Sequence, residues 1–246
     1  MKKHFTIFLL LIIAISCNES KLSHEKIGEL SLIRAEVSIY QRLYNKEENQ
    51  IVVNLYDEEG KTIKNDSVKI YVNGAALKYT VRQELYYTTQ TYYFKENALP
   101  QDNKFRFEIA LTDGKKFFLA EANALALASA RNIITPKAGD LNKDIDVRWK
   151  DLGAVNYLVI SRSLKIKKQE DPHVTTYEEQ ASDTVNIQPT GQQVFPKSTF
   201  DNAETQLSVL SLKFVAFTHG SVNPQLIKGS EISIQGDIEE RIFFGN

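Results

Sequence analysis

The chain of 246 residues is poor in the residue types that carry most site chemistry. One cysteine, Cys17, excludes an intrachain disulfide and any Cys-rich zinc centre. The four histidines, His4, His24, His173 and His219, are scattered, and no His-Glu-x-x-His spacing places two on one helix face. The sequence has no Gly-x-Ser-x-Gly elbow for a serine nucleophile and no glycine-rich phosphate cradle. A formal net charge of −1 leaves no basic surplus for a nucleic-acid backbone. No cofactor, metal or nucleic-acid partner is therefore expected. No apolar run approaches the roughly 20 residues needed to span a bilayer as a helix.

What the chain does have begins at its N-terminus. Met1-Lys2-Lys3-His4 precedes an apolar run, Phe5 to Ile15, and then Ser16. A basic start, a short greasy stretch and a small residue have the order of a secretory signal, expected over residues 1–16. Ala14-Ile15-Ser16-Cys17 resembles the lipobox of bacterial lipoproteins of the Bacteroidota type. The resemblance implies a diacylglycerol thioether on Cys17, cleavage before it and acylation of the new amine. It also implies a lipid-anchored cell-envelope protein, expected at the outer membrane, on a face left open. Each buried methylene of such an anchor contributes about 0.8 kcal/mol. Removal of residues 1–16 would take two lysines and no acid, leaving 28 basic and 31 acidic side chains, a net of −3. Residues 17–26 read as a polar lipidated tether.

Beyond the tether, hydrophobicity alternates with period two, as in half-buried strands. Gln50 to Tyr56, Val68 to Val72, Phe105 to Leu111 and Lys116 to Ala122 are the clearest cases. Asn73-Gly74 is a hairpin signal, since both residues tolerate positive φ. Ala120 to Ala130 is expected as a strand end and connection, with a short helix as the alternative. Strands are also expected within Asp146 to Trp149, Tyr157 to Ile160, Thr184 to Ile187, Leu207 to Phe217 and Glu231 to Ile234. Lys165 to Gln180 and Gln188 to Asn202 read as polar connections. The expectation is an all-β chain of two tandem sandwiches, an immunoglobulin-like unit over 27–130 and a second over 131–246. Ile134-Thr135-Pro136, Val147-Arg148-Trp149 and Tyr157-Leu158-Val159 give the second unit a resemblance to fibronectin type III domains. That resemblance implies that Trp149 fills the space between two sheets.

Candidate binding residues lie in the run from Tyr86 to Phe94. Tyr86, Tyr87, Tyr92 and Tyr93 could stack sugars through their ring faces; the competing reading is a strand pair whose tyrosines merely pack. Tyr40 and Tyr44 flank Arg42 in a second, smaller patch. Asp66-Ser67-Val68 and Asp183-Thr184-Val185 resemble the O-glycosylation acceptor of Bacteroidota, with Ser67 and Thr184 as the modified hydroxyls. The adjacent acids Glu58-Glu59, Glu178-Glu179 and Glu239-Glu240 read as solvated surface, because strand neighbours face opposite ways. The functional expectation is a non-enzymatic envelope lipoprotein that binds or scaffolds protein partners, with glycans second. The alternative is an envelope glycan hydrolase with acids drawn from separate strands.

Overall fold

The computed structural model describes residues 20–83, 89–168 and 173–245. The signal residues, Cys17, Tyr86 and Tyr87 lie outside them. The first half carries β1 (Arg34–Arg42), β2 (Asn45–Tyr56), β3 (Lys69–Val72), β4 (Ala75–Ala76), β5 (Lys78–Gln83), β6 (Thr89–Glu96), β7 (Lys104–Ala110) and β8 (Lys116–Asn123). The second carries β9 (Ile133–Ile134), β10 (Ile145–Trp149), β11 (Val155–Ile166), β12 (Tyr177–Glu179), β13 (Asp183–Asn186), β14 (Gly191–Phe195), β15 (Thr205–His219), β16 (Ser221–Val222) and β17 (Glu231–Phe243). Helical structure among the described residues is confined to three-residue 3-10 turns. The expected all-β, sandwich-type fold is what the chain adopts.

One nine-stranded sheet runs β12-β11-β15-β17-β1-β2-β6-β5, with β13 also on β11. Two smaller sheets accompany it, β16-β8-β7-β3-β4 in the first half and β14-β10-β9 in the second. The large sheet crosses the boundary at residue 130, because β1 and β17 pair in parallel, with Glu36 opposite Glu231 and Tyr40 opposite Gln235. Every other named strand pair is antiparallel. The last strand thus serves both halves, its start against β1 and most of its length against β15. β16 also returns to the first half, pairing with β8. The expected boundary at residue 130 is thus crossed by strand pairing, and the buried side chains on both sides of it belong to one hydrophobic core. At 13 residues, β17 reaches roughly 40 Å at about 3.3 Å per residue, enough to span both.

Alternation decides what is buried. Val37, Ile39, Ile51, Val53 and Leu55 point inward from β1 and β2, and Phe105, Phe107 and Ile109 from β7. In the second half Trp149 is 5% exposed and meets Phe214 edge-on, with ring centroids 5.5 Å apart. Its indole Nε1 donates to the Gln188 carbonyl at 2.9 Å. A Cβ at Gly191 would lie 2.8 Å from the Trp149 ring, so the strand opposite must be bare there. Trp149 is a core residue, as the fibronectin-like reading implied.

Several expectations change. The tether ends earlier than residue 26: Ser20 N–H donates to the Thr62 carbonyl at 3.2 Å, and Ser20 and Ser23 are buried. Asn65 Nδ2 donates to the carbonyls of Leu22 (3.0 Å) and Glu25 (3.1 Å), which pins the segment to the body. The polar stretch Gln188 to Asn202 contains β14, paired along β10. Its Gly-Gln-Gln start hid it, because three residues without a large apolar side chain leave no period-two signature. β12, with all three residues exposed, lies within Lys165 to Gln180. The alanine-rich segment is the end of β8, then extended chain, then a 3-10 turn at Ala130–Asn132. Asn73 (φ 46°) and Gly74 (φ 79°) make the expected tight turn between β3 and β4.

Candidate functional site

Burial alternates along β1, β2, β15 and β17, so the inner face of the large sheet lies against the core and the outer face is partly exposed. The outer face changes character along its width. In the second half, strand alternation brings Ser161 and Ser163 of β11, Ser211 and Lys213 of β15, and Glu239 and Arg241 of β17 to the outside. They line a depression of about 570 Å³, completed by Ser182, Glu179 and the exposed ring of Phe243.

The polar groups of this depression already hold one another. Ser161 and Ser182 hydroxyls lie 2.8 Å apart. Ser211 Oγ and Arg241 Nε both donate to Glu239 Oε1 at 2.7 Å. The Arg241 contact, with that of Ser211, holds the Glu239 carboxyl below its ordinary range. Glu239 is therefore an anion at neutral pH, and it has no proton to donate to a leaving group. Its neighbour Glu240 points to the opposite face, across from Leu212, where burial pushes its carboxyl up. The one raised carboxyl and the one lowered carboxyl of this strand thus do not share a cavity. The arrangement suits recognition of a hydroxyl- or amide-rich surface: fixed donors, a fixed anion and an aromatic rim.

In the first half the outer face is aromatic. Tyr92 is half-buried and meets Phe94 edge-on at 6.3 Å. Arg34 lies over the ring of Tyr56 at 4.4 Å. Tyr40 donates its hydroxyl to Asp237 Oδ1 at 2.6 Å, bridging the two halves on this face, and Arg42 lies over its ring at 5.4 Å. Burial, with the bond to Asp237, pushes the Tyr40 hydroxyl up to about 12. Tyr44 is exposed and donates to Glu48 Oε2 at 2.8 Å.

Tyr93 is a correction. It lies on the inner face, 2% exposed, with its ring 5.4 Å from Tyr79. Its hydroxyl donates to the carbonyls of Asn65 (3.0 Å) and Val68 (3.2 Å). It is a core tyrosine with a satisfied hydroxyl and offers no ring face to a sugar. Of the four candidate tyrosines, Tyr92 is on the outer face, and Tyr86 and Tyr87 lie outside the described residues.

Ser67 is exposed in the turn before β3, and Thr184 is exposed on β13 at the edge of β11. His219 stands edge-on to Phe217 at 4.9 Å, and His24 caps the turn Lys21–Ser23. Among the described residues no group of three His, Cys, Asp or Glu side chains could hold a metal ion. No described helix is long and apolar enough to cross a membrane.

The serine-and-charge depression was not legible in sequence. Ser161-x-Ser163, Ser211-x-Lys213 and Glu239-x-Arg241 each show the right alternation. Nothing in the sequence says that these three strands are neighbours. The chain matches no protein-family model and none of the curated proteins.

Proposed function

We propose that the protein is a lipid-anchored envelope module that binds a partner through the outer face of its nine-stranded sheet, without catalysis of its own. The partner is a protein first, and a glycan second. The observation that carries this reading is the serine-lined depression with its prepaired Glu239 and Arg241 on the partly exposed face of the large sheet. Hydroxyls and a neutralised ion pair offer directional contacts at little desolvation cost, as in the polar parts of interfaces. Anchoring through Cys17 rests on the lipobox resemblance. A glycan hydrolase finds less support, since a general acid needs a raised carboxyl facing the substrate cavity, and Glu239 is held ionised.

Two experiments test the reading. Cys17→Ala should move the protein from the membrane to the soluble fraction; unchanged attachment overturns the anchor. A photo-crosslinking residue at Ser163 or Tyr92 in the membrane-bound protein should give a discrete adduct, and the same residue at Lys143 should not. No adduct from either outer-face position overturns the binding face.

A further inference from the structure

We infer that the end of the molecule around Ser20 is apposed to the lipid headgroups, while the serine-lined depression stands clear of them at the far end of β17. The inference rests on the proposed lipid at Cys17 and adds an orientation to it.

The argument starts from where the body takes hold of the chain. Ser20 is 1% exposed, and its N–H donates to the Thr62 carbonyl. Its hydroxyl accepts from Leu22 N–H at 3.1 Å and contacts the Asp57 carboxyl. Ser23 Oγ accepts from Lys64 N–H at 2.9 Å, and Asn65 holds the next turn. The chain is thus fixed from Ser20 onward. Only Asn18 and Glu19 separate it from Cys17. Three residue steps reach at most about 11 Å, whatever their conformation. A thioether-linked diacylglycerol at Cys17 would therefore hold Ser20 within about 11 Å of the lipidated residue, at or just above the headgroups.

The surface around Ser20 is compatible with that place. A shallow cavity of about 210 Å³ there is lined by Leu22, the exposed Leu32, Glu58 and Lys61. The charged side chains lining it, Lys21 and Lys61 against Glu25, Asp57, Glu58 and Glu59, sum to −2, so this end adds no attraction to anionic lipid and the apposition rests on the short reach of the chain alone.

The register then fixes where the depression lies. Arg34, opposite Tyr56, marks the same end of β1, and Glu36 stands opposite Glu231 at the start of β17. Glu239 is eight residues farther along β17, roughly 26 Å at about 3.3 Å per residue. The second half therefore extends away from the anchored end, and the depression is left open to a partner in the aqueous phase.

The test uses the full lipidated protein in vesicles that carry a headgroup quencher. A fluorophore on Glu58→Cys should be strongly quenched, and one on Glu178→Cys, on β12, should not. A flexible insertion of about 30 Gly/Ser residues between Glu19 and Ser20 should remove the difference, since its mean reach is about 30 Å. Equal quenching at the two positions, with the acyl mass present on Cys17, overturns the orientation and leaves the anchor standing. Absence of the acyl mass overturns both.

Discussion

The two halves close the core by partly different means. The first half relies on buried amides that imitate backbone. Gln41 is fully buried, and its side chain donates to and accepts from Leu125 at 3.0 and 2.9 Å, as a neighbouring strand would. Asn49 does the same for Ala98, donating to its carbonyl at 2.8 Å and accepting from its N–H at 3.0 Å. The second half repeats the device at the half-buried Asn156, which donates to the Phe217 carbonyl at 2.8 Å and accepts from its N–H at 3.1 Å, and adds rings packed where side chains are missing. Trp149 lies against Gly191, and Phe244 lies against Gly139 and meets Phe200 edge-on at 5.1 Å. Irregular chain buried beside a sheet needs partners for its peptide groups, and an amide side chain supplies one donor and one acceptor together. Beside the three-stranded sheet few strands supply buried side chains, which favours large rings.

That contrast can be broken in order of effect. Trp149→Ala should cost about 3–5 kcal/mol in chemical denaturation, since it removes a buried indole packed on Phe214. A loss below about 1 kcal/mol would place the indole outside the core after all. Because β17 serves both halves, probes in each half should report one coincident transition in this variant, and two separated transitions would show that the shared sheet does not couple them. Gly191→Ala sets a methyl 2.8 Å from the same ring and should cost about 1–3 kcal/mol through overpacking. Gln41→Leu keeps the volume but orphans the Leu125 N–H and carbonyl, and should also cost about 1–3 kcal/mol. Its signature is faster hydrogen exchange at the Leu125 amide; unchanged exchange would mean that the amide pairing is dispensable.

The smallest effect belongs to the outer-face contact between the halves. The Tyr40 hydroxyl is raised to about 12 in the folded protein, against about 10 when unfolded. The folded state therefore keeps a proton that the unfolded state has lost. The contribution is intact below about pH 10 and disappears as pH rises to about 12. Tyr40→Phe should flatten stability across that window, and an unaltered pH profile would argue against the bond to Asp237.

Legibility in the sequence tracked local pattern. The β7–β8 hairpin and the Asn73-Gly74 turn were readable because alternation and positive-φ residues are local signals. β14 and β12 were not, because the polar start of one and the exposed, polar residues of the other look like loops. Tyr93 was assigned to a possible binding row because adjacent aromatics fix no phase; the pairing of Val53 with Tyr93 places it on the inner face. The docking of Ser20 to Glu25 depends on Asn65, forty residues away, and no local pattern announces that.

By itself the sequence determined that this chain is built from strands, that its single thiol follows a signal-like segment, and that its core holds one indole. Alternation and turn chemistry are properties of neighbouring residues, so they survive without a fold. The joining of first strand to last, and with it the depression and its place far from Ser20, was decided only in three dimensions. A parallel pairing between residues nearly two hundred positions apart leaves no periodic trace in either segment.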